Sequence, residues 1–125
     1  MSKKLRTTKR TGLTPRQKKA LLQLTTQAVI NYTGVTYEQL ISNARFPVIV
    51  DARYIIYHIL RIRSNYTFGF NEIGNAFNRD HSTVMWGCKK VQDMIDIEDE
   101  STMKILLGVS KKLDEKYSLI DWDVY

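Results

Sequence analysis

Cysteine occurs once in this chain, at position 88, so no disulfide can form within it and a reducing compartment suits the sequence. Histidine is almost as scarce. His58 and His81 make no H-x-x-x-H pair, and with Cys88 they make no C-x-x-C-type spacing, so a structural zinc would need an unusual ligand set. No metal and no cofactor is expected. No nucleophile–base pair, paired carboxylates or metal cluster can be named, which argues against an enzyme. Apolar runs long enough to cross a bilayer are missing, as are internal repeats and low-complexity blocks. Met1 to Arg6 is basic like the head of a signal peptide, yet Gln23, Thr25, Thr26 and Gln27 interrupt the apolar residues that follow, so a secretory core segment is absent.

Acidic residues are missing from the first 19 positions, which carry eight Lys/Arg. Residues 20 to 92 hold seven cations against four anions, and residues 93 to 125 hold four against nine. The net charge of +6 is therefore concentrated at one end, and a basic protein of this kind favours an anionic partner, nucleic acid first. A length of 125 residues with 43% apolar and 26% charged side chains fits one globular domain. Three regions are expected: a basic flexible tail over 1–13, a folded domain over 14–117, and an acidic, aromatic tail over 118–125.

Helix signals punctuate the middle region. Thr14-Pro15 supplies an N-cap and a first-turn proline, and Leu21, Leu24, Ala28, Val29 and Tyr32 recur at helical spacing until Gly34. Thr36 with Gln39 three residues later predicts a capping box over a short helix containing Leu40. Pro47 opens a long helix to about Arg63, apolar around much of its surface and so the expected core helix. Asn71 to Phe77 reads as a short helix, and Asp80 can cap the next one almost at once. There Val84, Cys88, Val91 and Ile95 make the core stripe, leaving His81, Ser82, Met85, Trp86 and Lys89 mostly on other faces. A last helix over Thr102–Lys116 is expected to pack through Met103, Leu106, Leu107 and Leu113. The architecture is thus all-α, a compact bundle of about six helices in which two short-linked ones form a helix-turn-helix.

Arg79-Asp80-His81-Ser82-Thr83-Val84 places charged and hydroxyl groups at the mouth of an amphipathic helix, the chemistry that matches base edges in a major groove. This string, with Glu72-Ile73-Gly74, Asp51-Ala52-Arg53, Val35 to Ser42 and Cys88 to Val91, resembles the C-terminal DNA-binding domain (domain IV) of the bacterial replication initiator DnaA over roughly residues 20 to 95. The resemblance implies a helix-turn-helix fold of the Trp-repressor-like kind, a duplex DNA partner, and a cytoplasmic, nucleoid-associated protein. By position it implies base contacts from Asp80, His81 and Ser82, phosphate contacts from Thr83, Arg53, Lys89 and Lys90, and a minor-groove arginine at Arg45.

Plainer readings stand beside these. Asp80 is also an N-cap, Arg79 can brace the turn as well as touch DNA, and Lys89 and Lys90 can be a solvated face. Arg53 can pair with Asp51, Arg61 and Arg63 can be mere surface, and Cys88 is most simply a small core residue. Trp86 would ordinarily be core but points partly outward, where it could lie along the sugar-phosphate backbone. The sequence also departs from the family: Arg45 is the sole charge of its loop, Trp86 stands where histidine is usual, and no G-x-x-x-x-G-K-[ST] phosphate loop is present. The expectation is a sequence-specific double-stranded DNA-binding protein in replication initiation control or transcription regulation. The alternative is an adaptor that kept the fold and lost the reading. In either case the terminal tail could dock a replication or transcription protein.

Overall fold

The computed structural model describes residues 12–117; the rest of the expected tails, residues 1–11 and 118–125, lies outside them. Six helices follow in order among the described residues: α1 Pro15–Thr33, α2 Tyr37–Ile41, α3 Pro47–Arg63, α4 Phe70–Ala76, α5 His81–Asp96 and α6 Glu100–Tyr117. No strand occurs among them, and none of these helices is long and apolar enough to cross a membrane.

The helix starts are written in side-chain chemistry. Thr14 Oγ1 accepts the Gln17 amide at 3.1 Å while Gln17 Oε1 accepts the Thr14 amide at 2.9 Å, and Pro15 occupies the first turn. Thr36 and Gln39 repeat the reciprocal box at 3.1 and 2.9 Å. Gly34 ends α1 at φ 80°, returning its amide to the Ile30 carbonyl. Arg61 and Arg63 lie in the last turn of α3, where cations complement the helix dipole.

α3 is the central element, packed by α1, α2 and α5, while α6 covers α1 and touches α5. Ile49, Ala52, Ile55, Ile56, Tyr57, Ile59 and Leu60 of α3 are buried with Leu21, Val29, Leu40, Ile73, Phe77, Val84, Val91, Val109 and Leu113. Two glycines set how closely the reading unit can approach this core. A methyl group at Gly74 would collide with the Arg79 carbonyl, so the turn between α4 and α5 closes over a bare backbone. A methyl at Gly87 would meet the Tyr54 ring, so α5 lies flush on α3 there.

Two expected core contacts fall elsewhere. Leu107 is 66% exposed, whereas the expected Leu113 is buried and the expected Leu106 packs against the core; Val109, which was not among the expected contacts, is buried with them. Tyr32 is half-exposed, its ring lying over Gly108 at the α1–α6 seam and not in the core. α6 also starts two residues before the expected Thr102, at Glu100. Asp99 accepts from both the amide and the hydroxyl of Thr102, at 3.0 and 2.8 Å.

Candidate nucleic-acid interface

The reading unit is α4, a tight turn and α5. The turn holds Asn78 at φ 58°, a left-handed conformation that asparagine tolerates better than most residues, and Arg79 returns its amide to the Gly74 carbonyl at 2.9 Å. Asp80 then caps α5: its Oδ1 accepts the Thr83 amide at 2.9 Å, and that bond is the main reason its carboxyl is held below the usual aspartate range.

Along α5, Val84 and Val91 are buried and Cys88 and Ile95 half-buried, so one stripe packs. Burial pushes the Cys88 thiol up to about 11, which keeps it protonated and inert near neutral pH. The other side carries Asp80, His81, Ser82, Met85, Trp86, Lys89 and Lys90, all exposed, with Thr83 half-buried at the edge. Lys89 lies 3.3 Å from Asp93 one turn on, an exposed pair of small energetic weight that leaves the ammonium accessible. Lys90 lies near Asp51 and favours its charged form, against a stronger effect of burial that raises the Asp51 carboxyl.

The arginines divide. Arg45 is exposed in the loop between α2 and α3, followed by Phe46, 71% exposed, and by Val48, 54% exposed. Arg53 departs from the expected phosphate contact. It is 4% exposed, and its Nε donates to Leu40 O at 2.8 Å while Nη2 donates to Gln39 O at 2.9 Å and Ser42 O at 2.7 Å. A guanidinium occupied in this way holds the carbonyl end of α2 and presents nothing outward, nor does it pair with Asp51. Arg79 braces the turn: it donates to the Phe77 and Asn78 carbonyls and to Ser42 O.

Two further arginines, read from the sequence as mere surface, have structural partners. Arg61 donates to the Tyr66 and Phe68 carbonyls at 2.9 and 3.2 Å and lies 4.1 Å from the Phe70 ring centroid, fixing a loop in which Asn65 and Tyr66 both have positive φ. Arg63 reaches Asp114 on α6 at 2.8 Å. A cation at the end of an apolar helix and an acid on the last helix were both legible, but their meeting depends on tertiary packing. Between the end of α3 and the outer side of α5, Arg61 borders a groove of about 570 Å³ that Ile62, Tyr66, Met85 and Trp86 also line.

The match to known proteins falls on this unit. The family described as the bacterial dnaA protein helix-turn-helix covers residues 23–91, more than half of the chain. The chain belongs to that family. It is 31% identical over 93 residues to the chromosomal replication initiator protein DnaA of Thermodesulfovibrio yellowstonii, covering 74% of this chain and 20% of that protein. The second DnaA of Protochlamydia amoebophila is 31% identical over 87 residues, and DnaA of Acholeplasma laidlawii 32% over 88, each covering about 70% of this chain and 19% of the relative. The chain thus spans about a fifth of the length of these DnaA proteins. The matched region runs from within α1 to Val91 of α5, so α6 lies beyond the family model.

Proposed function

We propose that this protein binds double-stranded DNA sequence-specifically, without catalysis, by placing the N-terminal half of α5 in the major groove. The observation that carries this reading is the exposed cluster Asp80-His81-Ser82 at the start of α5, on a turn pinned by Arg79 and flanked by exposed Lys89 and Lys90. His81 and Ser82 offer hydrogen bonds to base edges, Asp80 divides its carboxylate between the cap and a donor base, and Thr83, Lys89 and Lys90 face the phosphates. Arg45, exposed in its loop, is the minor-groove contact, with Phe46 beside it available as an apolar wedge. Arg53 and Arg79 act on DNA only by holding the unit in shape. The protein acts by occupying its site, in replication initiation control or transcription regulation, as a cytoplasmic, nucleoid-associated factor.

Selection from a random duplex library tests this directly: an enriched motif is expected, and binding to it in a gel shift is expected to be indifferent to ATP and to EDTA. A strict nucleotide or metal requirement would refute the reading. The exposed apolar groove beside α5 favours a second one, an adaptor that docks a protein, and recovery of no motif would bring it forward.

A further inference from the structure

The groove between α3 and α5 is unusual for the surface of a small basic domain. Ile62, Tyr66, Met85 and Trp86 line it while remaining between 44% and 61% exposed, and Phe70 forms part of its wall. Contiguous apolar surface of this kind marks a place where something binds. Its charged borders are cationic: Arg61 lies on the α3 side and Lys89 on the α5 side, and among the described residues no acidic one lines it, although Asp93 stands 3.3 Å from Lys89. The matching occupant is an acidic peptide with large apolar side chains.

The chain contains such a peptide, and α6 delivers it to the right place. Residues 118–125 read Ser-Leu-Ile-Asp-Trp-Asp-Val-Tyr, with two carboxylates and no cation. The final turns of α6 are tied to the end of α3, since Arg63 donates to Asp114 Oδ1 at 2.8 Å and to the Ser110 carbonyl at 3.3 Å. Ile62, the neighbour of Arg63 in sequence, lines the groove. Eight residues reach up to about 26 Å when extended, ample for a segment that leaves α6 beside the same helix end.

We infer that residues 118–125 dock in this groove, Trp122 against Met85, Tyr66 and Trp86, with Asp121 and Asp123 facing Arg61 and Lys89. Tethering gives the segment an effective concentration on the order of millimolar, so weak intrinsic affinity suffices. Because Ser82, Trp86 and Lys89 belong both to this groove and to the DNA face, the docked segment competes with DNA; this consequence rests on the DNA-binding reading, whereas the docking itself does not.

The test uses the full chain, the Trp122→Ala variant and the Asp121→Asn/Asp123→Asn variant. Without DNA, NMR should show contacts from the Trp122 indole to Met85 and Tyr66, and Trp122→Ala should move the signals of Ile62, Met85 and Trp86. Changes confined to residues 110–125 overturn the docking. Contacts that appear only as concentration rises, with a dimer in sedimentation, also overturn it in favour of a second copy's segment. On duplex DNA both variants should bind about threefold more tightly than the parent, since freeing a blocked state raises apparent affinity by the fraction released. Equal affinities with the contacts present overturn the competition alone. Absence of DNA binding in all three proteins, with the contacts present, upholds the docking and removes the DNA reading.

Discussion

Arg53 and Arg79 donate to the same atom, the carbonyl oxygen of Ser42, one from inside α3 and the other from the turn of the reading unit. The last carbonyls of a helix lack intrahelical partners and carry partial negative charge, so two cations converge there at less cost than their mutual repulsion suggests. Burial is the main influence lowering the Arg53 pKa, and the neighbouring Arg79 adds to it. The short helix α2 thereby becomes the anchor that sets where α5 begins. Arg53 positions the DNA-facing residues without reaching DNA.

Arg53→Ala should therefore act through stability. It strips the Leu40 carbonyl of its buried partner and weakens the links to Gln39 and Ser42, and a stranded buried polar group costs about 1–3 kcal/mol. Chemical denaturation should register a loss of that order, and Arg53→Lys should recover little, because an ammonium cannot reproduce the planar fork. Affinity for DNA should fall with an unchanged salt slope. A normal denaturation midpoint combined with a slope smaller by roughly 0.9 would mean that Arg53 reaches a phosphate after all.

Acid should loosen the start of α5. The Asp80 carboxyl is held below its ordinary range chiefly by the Thr83 amide, so its cap contributes stability that is complete above the unfolded-state pKa and is lost as pH falls through the folded one. Glu72, lowered by the Gly69 amide and then by Lys18, acts in the same sense, while Asp51, raised by burial, acts in the opposite one. Asp80→Asn keeps a capping oxygen and removes the titration, so its stability should fall less steeply than the parent's below the usual carboxylate range while matching it closely at neutral pH. Parallel acid limbs for the two proteins would count against this assignment.

Most of this framework was legible in the sequence wherever it rests on local chemistry. Thr14-Pro15, Thr36 with Gln39, Pro47 and Asp80 each start a helix as their residue types require, and the Val84–Val91 stripe follows from a 3.6-residue period. The arginines were not legible in the same way. Arg45, Arg53, Arg61, Arg63 and Arg79 are the same residue in the one-dimensional text, and only packing distinguishes an exposed one from those holding carbonyls, a ring or an acid on another helix. Leu107 was misplaced because α6 presents its core face through Val109 and Leu113, and several phases of the helical period fit its apolar residues equally well.

Arg45 and Phe46 are expected to act together at the minor groove. Arg45→Ala should weaken binding mostly at sites with A·T-rich flanks, since that groove chiefly distinguishes A·T from G·C. Phe46→Ala should reduce DNA bending, read by circular-permutation gel mobility, if the exposed ring wedges between base steps. A loss from Arg45→Ala that is equal on all flanks indicates a simple phosphate contact.

The basic N-terminal residues and the reading helix should fail differently when altered, because phosphate contacts set affinity without reading sequence whereas base contacts set discrimination. Deleting residues 2 to 12 removes Lys3, Lys4, Arg6, Lys9 and Arg10, cations that lie outside the described residues. Binding should weaken similarly on the preferred and on random duplexes, and the log–log salt slope should shrink by roughly 0.9 for each phosphate that the shortened protein no longer neutralises. Replacing His81 and Ser82 by alanine should cost about 1–3 kcal/mol per specific base contact on the preferred site, with little change on random DNA or in the slope. Both side chains are exposed and neither supplies the Asp80 cap bond, which comes from the Thr83 amide, so the double variant should keep a denaturation midpoint close to the parent's and its weaker binding can be read as a failure of recognition. Salt-titrated affinities on matched duplexes separate the two behaviours. If the His81/Ser82 variant keeps the full ratio of specific to random binding, α5 is not the reader, and the groove beside it becomes the functional surface of the protein.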